Sequence, residues 1–322
     1  MTWSGRSVLV TGANGFIGSW LSQRLVDEGA HVVALVAVDE PDSQFSRAGL
    51  HDRVTVTRGV LEDPVIVPHA IAAHEVDTVF HLGAQTLVGA AFQDPVATFE
   101  ANVRGTYLLL DACRRAGQQV ARVVVASSDK AYGESLVLPY TEDAPLAGRH
   151  PYEVSKSCTD LLAQAYAQTY GVPVAIARCG NVYGGGDLNW SRIVPGTVRS
   201  LLLGDTPVIR SDGTYVRDYL FVDDVVDAYL ALADGLDRGV LVGTACNFSD
   251  EAPRTVLELY GAICASLGTR AEPEIQSRAA GEITEQYLDA SRARELLGWK
   301  ARVSLDDGLD RTVEWYRRLL LP

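Results

Sequence analysis

The sequence predicts an α/β protein, a doubly wound parallel sheet joined to a smaller second domain. Three observations predict it. Short apolar and β-branched runs alternate with helical patterns through the first half. A glycine-rich turn connects the first such run to the first helical pattern. After about Gly180 the alternation gives way to less regular elements.

Strands are expected at residues 7–10, 31–36, 54–57, 78–81, 122–126 and 174–178. Between them, Trp20-Leu21 with Leu25-Val26, and residues 107–110 with Cys113, place apolar side chains at helical spacing. In such a sheet ligands sit at the carboxyl ends of the strands. Beyond Gly180, Gly184-Gly185-Gly186 and Arg210-Ser211-Asp212-Gly213 mark loops. Tyr219-Leu220-Phe221-Val222 running into Asp223-Asp224 reads as a strand passing into a capped helix. The tail from Ala290 has helical pieces ending in Trp315-Tyr316. The expected division is 1–178 plus about 214–247 for the first domain, and about 179–213 plus 248–322 for the second.

Composition narrows the function. The 322 residues are 47% hydrophobic, enough for a large buried core and incompatible with disorder. Lys and Arg total 28 against 41 Asp and Glu, a net charge of −13, so no basic surface for nucleic acid is expected. An anionic ligand could still be held locally by backbone amides and a few arginines. Cys113, Cys158, Cys179, Cys246 and Cys264 are widely spaced, which fits buried thiols in a reducing cytoplasm better than zinc or disulfides. The longest apolar run, residues 32–38, is too short to span a membrane. Residues 8–10 run directly into the glycine turn, unlike a signal peptide. A cytoplasmic protein with neither a membrane nor a nucleic-acid partner is expected.

Three motifs carry chemistry. Thr11-Gly12-Ala13-Asn14-Gly15-Phe16-Ile17-Gly18 lies between the first strand and first helix, where glycines let backbone approach a pyrophosphate at the helix N-terminus. Tyr152-Glu153-Val154-Ser155-Lys156 follows Pro151, a good first helical residue, and places a phenol and an amine on one helix face. The lysine charge is expected to lower the phenol pKa. Ser127-Ser128-Asp129-Lys130-Ala131-Tyr132-Gly133 ends the fifth strand, where substrate meets cofactor. His81, His150, Trp299 and Trp315 read as structural residues.

Together these motifs resemble the extended short-chain dehydrogenase/reductase family, a Rossmann-type group that includes nucleotide-sugar epimerases and dehydratases. The resemblance runs from Val8 to about Tyr316, through residues 81–85, 102–106, 178–184 and Arg217-Asp218-Tyr219. It implies a catalytic set of Ser128, Tyr152 and Lys156, joined here by Asp129 and Lys130. It implies NAD held by Gly12, Asn14, Gly15, Phe16, Ile17 and Gly18, with Asp39, Leu61, Leu82, Ala84, Gln85 and Asn102 around it and Tyr152 and Lys156 at its reactive end. It places a nucleotide-diphosphate sugar against Thr86, Ser128, Asn181, Arg192, Arg210 and Arg217. It also implies a homodimer and no metal.

Within the family, Ser128-Asp129-Lys130 is most similar to the Ser/Thr-Asp-Lys of CDP-glucose 4,6-dehydratases. By that likeness Tyr152 takes the proton of the sugar 4-hydroxyl and Asp129 donates to the departing 6-hydroxyl. Lys130 either takes the C5 proton, the favoured reading, or stabilises the enolate; the cationic nicotinamide and Lys156 are expected to depress its pKa. The usual cofactor-selecting position is Val36, with Asp39 and Glu40 further on and no Arg within 36–40, which favours NAD over NADP. After Gly59 stands Val60, with Glu62 and Asp63 nearby, in place of the acid that commonly flanks the adenine. A 4-epimerase passing through the same 4-keto sugar is the alternative, and a dinucleotide-sensing protein without turnover is a third.

Overall fold

The computed structural model describes residues 2–277 and 283–321. Its centre is a seven-stranded parallel sheet formed by β1 (Ser7–Thr11), β2 (His31–Val36), β3 (Thr55–Arg58), β4 (Thr78–His81), β5 (Arg122–Ala126), β6 (Val174–Cys179) and a seventh strand, Ala245–Phe248. Across the sheet the order is seventh strand, β6, β5, β4, β1, β2, β3. The order reverses between β1 and β4, which opens a crevice at their carboxyl ends.

The two-residue period of a strand explains the two cores. In β1, Val8 and Val10 face one side and Leu9 the other, and all three are wholly buried. The first side packs under α1 (Phe16–Asp27) and the helix Val222–Asp237; the second packs under Ile66–Ala73, Gly105–Ala116 and Pro151–Tyr170. Each fully buried Val or Leu contributes about 1.5–3 kcal/mol, so the strands carrying the site residues are held from both faces.

The six expected strands shift by at most one residue at either end. The seventh lay outside the expectation because Ala-Cys-Asn-Phe has no β-branched run. Pairing with β6, Ala245 opposite Ile176, makes it a strand.

The remainder forms short ladders. Asn181–Tyr183 pairs with Tyr219–Phe221. Val216–Arg217 lies between Arg254–Thr255 and Glu285–Gln286. Glu274–Ile275 pairs with Val208–Ile209. Helices Ile193–Leu203, Val256–Leu267 and Leu305–Leu320 share a core with Tyr183, Tyr219 and Phe221. The packing departs from the expected division in two places. Residues 216–221 pair within the short ladders, while Ala290, Ala293 and Trp299 join the core of the large sheet. Two-residue strands have no readable period, so only their partners reveal where they belong.

Among the described residues no helix is long and apolar enough to cross a membrane, and no group of three or more His, Cys, Asp or Glu could hold a metal. All five cysteines are free thiols.

Candidate active site

The glycine turn is as tight as backbone allows. Gly12 has φ +65°, and a Cβ there would lie 2.8 Å from the Cα of Gly83. At Gly18 a Cβ would lie 2.0 Å from the Gly12 carbonyl oxygen. Gly15 begins α1 in an extended conformation with no side chain capping it. The amides of Phe16, Ile17 and Gly18 are thus in the uncapped first turn of a helix, where an anion is favoured. This cradle fits a dinucleotide pyrophosphate.

Asn14 Nδ2 donates to the Val38 carbonyl at 2.6 Å and so ties the turn to the segment carrying Asp39. Asp39 pairs with Arg58 at 2.6 Å, and this hydrogen bond holds its carboxyl below the usual range. Arg58 ends β3, opposite Val36 of β2. Strand pairing thus brings a guanidinium here from outside residues 36–40, and Asp39 occupies it.

The loop after β4 is fixed from behind. Gly83 N donates to Thr11 Oγ1 at 3.0 Å, and Leu61 packs where a Cβ on Gly83 or Gly105 would fall. Leu82, Ala84 and Gln85 are half-buried, while Thr86 is exposed. Asn102, in the π-helical turn Glu100–Arg104, is buried beneath them. It accepts from Gln85 N at 2.7 Å and donates to Gln85 O and Ser155 Oγ, both at 2.9 Å. Asn102 therefore shapes the loop and locks it to the tyrosine helix. His81 is a core histidine between Thr11 and Thr106 hydroxyls at 2.9 and 3.0 Å, and burial lowers its pKa to about 3.

Ser128, Asp129 and Lys130 occupy one 3-10 turn at the end of β5. Ser128 caps it, accepting from Lys130 N at 3.2 Å and donating to Asp129 Oδ1 at 2.9 Å. Lys130 Nζ lies 3.4 Å from Asp129 Oδ2. Tyr152 begins the helix Pro151–Tyr170, whose first turn is closed by Glu153 accepting from Arg149 N and His150 N. The Tyr152 phenol hydrogen-bonds with Ser128.

The turn and the helix are bolted together. Lys156 Nζ donates to Ala126 O and Ser157 Oγ to Ala131 O, both at 2.9 Å. Two turns beyond Tyr152, Asp160 takes a two-pronged contact from Arg178 at 2.7 and 2.8 Å, and Arg178 also donates to Tyr132 Oη at 2.8 Å. Breaking a buried pair of this kind costs about 3–5 kcal/mol.

Burial sets the titrations. It pushes the Tyr152 phenol up to about 12; Arg192 pulls it back, Asp129 adds to the rise, and the Ser128 hydrogen bond opposes it. Burial lowers Lys156 to about 8 against the charge of Asp160. The expected action of Lys156 on the phenol is not what this geometry supplies. Lys156 is aimed at a carbonyl, and the cation acting on Tyr152 is Arg192. Lys130 is likewise drawn down by burial, with Asp129 opposing and Arg217 assisting where Lys156 was expected.

The anion-binding candidates belong to the short ladders and to the loop before Ile193–Leu203. Arg217 donates to the carbonyls of Val216 and Thr284 at 2.8 and 3.0 Å and to that of Ile283. Asn181 Nδ2 reaches Asp218 O at 3.4 Å. Arg192 pairs with Asp187 at 2.9 Å, and Arg210 donates to Ser191 O, so both are anchored on one loop.

Sequence reasoning missed Arg58, Asp218 and Gln286. Asp218 is buried, and this pushes its pKa to about 7 against a hydrogen bond from Ser249, with the charge of Asp129 adding to the rise. It sits inside the Arg217-Asp218-Tyr219 match, a signal that was present. Gln286 is wholly buried; Lys130 Nζ donates to its Oε1, and its Nε2 donates to Asp129 O at 2.9 Å. Nothing in the sequence near it announces that contact.

A glycine cradle at the switch point, with the Ser128 turn and the Tyr152 helix joined to each other beyond β5, fits a dinucleotide-dependent enzyme. The sequence model of the family described as GDP-mannose 4,6 dehydratase matches residues 9–312, and the chain belongs to that family. It is 33% identical to the CDP-glucose 4,6-dehydratase of Salmonella typhimurium over 98% of this chain and 91% of that one. It is 34% identical to the UDP-glucose 4-epimerase of Mycolicibacterium smegmatis over 96% and 98%. Among solved structures, the dTDP-glucose 4,6-dehydratase of Streptomyces venezuelae with NAD bound superposes with a TM-score of 0.85 at 30% identity, covering 97% of each chain.

Proposed function

We propose that this chain is an NAD-dependent nucleotide-sugar 4,6-dehydratase of the CDP-glucose type, forming a 4-keto-6-deoxy sugar. The observation that carries the reading is the Asp129–Lys130 pair, in contact at 3.4 Å and set directly beyond Ser128. An ion pair and a carboxylic acid beside a neutral amine differ only by one proton moved along that contact. Burial favours the neutral form of Lys130.

NAD would be held by the glycine turn of Gly12, Gly15 and Gly18, and would supply the hydride acceptor for C4 and the hydride donor for C6. Tyr152 takes the 4-hydroxyl proton as the C4–H bond breaks. The 4-ketone acidifies C5; Lys130 takes that proton while Asp129 protonates the 6-oxygen, the C6–O bond breaks, and water leaves. Once C6 has regained hydride, Lys130 returns its proton to C5. Tyr152 resets Asp129 through Ser128, because the hydroxyl touches both groups. Asn181 and Arg217, with Arg192 and Arg210 from the facing loop, hold the diphosphate and nucleoside.

Exposed Val96, Phe99, Tyr107 and Leu161, on the helices before and after β5, support a homodimer through those helices. Five free thiols fit a reducing cytoplasm. The division of labour follows the two sets of ladders, dinucleotide on the large sheet and sugar nucleotide on the small ones.

The 34% identity to a UDP-glucose 4-epimerase favours the second reading, a 4-epimerase with the same C4 oxidation. Mass spectrometry with NAD and a panel of CDP-, UDP-, dTDP- and GDP-sugars decides between them. The dehydratase loses one water, and Asp129→Asn cuts that loss by about 100-fold or more while C4 oxidation continues. An unchanged mass with a new stereoisomer makes the chain an epimerase.

A further inference from the structure

Among the described partners of Lys130, Gln286 is the one that arrives from about the last 40 residues of the chain. It lies on the two-residue strand Glu285–Gln286, which pairs with Val216–Arg217 and sets Gln286 opposite Arg217. Its side chain is wholly buried, and both ends are used on the catalytic turn. A backbone carbonyl can only accept, so the Asp129 carbonyl takes the NH2 end of the amide at 2.9 Å. That fixes the orientation, and the amide oxygen must face Lys130 Nζ.

We infer that Gln286 is a positioning residue that aims the Lys130 amine at the sugar and keeps its second partner uncharged. The inference rests on the dehydratase reading for its chemistry. An N–H of Lys130 spent on the amide oxygen keeps the nitrogen lone pair turned away from Gln286. The charge balance then matters. Lys130 is faced by Asp129 on its own turn, by Arg217 and Asp218 on the neighbouring strand, and by Gln286. A carboxylate in place of the amide would add a further acidic group beside that amine, and would favour its protonated form. Because Arg217 is held by the carbonyls of Ile283 and Thr284, the segment that steadies the diphosphate candidate also delivers Gln286.

The chain has only three lysines, Lys130, Lys156 and Lys300, so the ε-amines can be titrated individually by NMR in 15N-lysine-labelled enzyme with NAD bound. Gln286→Glu is expected to raise the Lys130 midpoint by about one pH unit or more. The acid limb of the rate of water loss should move up by the same amount, since the base must be neutral to act. Gln286→Met removes both hydrogen bonds without adding charge. It is expected to slow C5 hydrogen exchange with deuterated solvent by about tenfold or more while C4 oxidation persists.

An unmoved Lys130 midpoint in Gln286→Glu overturns the inference. If that variant does not fold, undiminished C5 exchange in Gln286→Met overturns it instead. A wild-type enzyme that releases no water from any sugar of the panel overturns the dehydratase reading alone, because the titration needs no turnover.

Discussion

The large sheet and the short ladders hold their functional residues by different means. Ser128, Asp129 and Lys130 follow β5, whose Val123, Val124 and Val125 have no exposure and whose neighbours on both sides are parallel strands. Arg217 and Gln286 ride on strands of two residues, and side-chain hydrogen bonds across the chain complete their placement. The first region is rigid because packing surrounds it; the second is ordered because named polar contacts are satisfied. Damage should therefore show as lost folding and cofactor binding in the first, and as altered pH dependence in the second.

The largest effect is expected at the glycine cradle. Gly18→Ala puts a methyl 2.0 Å from the Gly12 carbonyl oxygen, a contact backbone cannot relieve without shifting the start of α1. Thermal unfolding should show a loss of about 1–3 kcal/mol, and calorimetry about tenfold or more weaker NAD binding. Normal binding by this variant would mean that the cradle is looser than its geometry.

Asp218 tests the other region. Its value of about 7 in the folded chain lies above the 3.8 of a free carboxyl. The native state thus holds that proton more tightly, and the stability this contributes is full at low pH and lost as pH rises through about 7. Asp218→Asn should remove that loss. The gap in unfolding free energy between variant and wild type should widen by ~3 kcal/mol between about pH 4 and pH 8, an order-of-magnitude figure from the shift. A gap independent of pH would show that Asp218 does not titrate there.

The smallest effect sharpens the comparison. Asp39 and Arg58 are both exposed, so their pairing adds little stability. Asp39→Asn should leave the melting temperature unchanged yet free Arg58 for a 2′-phosphate, improving NADP binding by about tenfold or less relative to NAD. Equal discrimination before and after would remove the pair from cofactor selection.

Much of this molecule was legible in its residues. Valine-rich runs at regular spacing become sheet strands because a period of two with apolar faces has one stable burial. Gly12 and Gly18 announce the cradle because a Cβ at either would fall within 3.0 Å of backbone. Tyr152 and Lys156 are readable because four residues make about one helical turn. What these cues lack is distance information. Ala-Cys-Asn-Phe became a strand only beside β6, and Arg58 reached Asp39 only through the pairing of β2 and β3.

By itself the sequence determined the alternating architecture and the dinucleotide cradle, which follow from local spacing, while the grouping of Ser128, Asp129, Lys130, Tyr152 and Lys156 in one site is what the family resemblance implied. Only the tertiary structure decided the charges those groups feel. It turned Lys156 toward Ala126 O, set Arg192 to act on Tyr152, and brought Arg217, Asp218 and Gln286 around Lys130. Burial and through-space charge depend on which distant segments fold together, and local residue order carries no record of that.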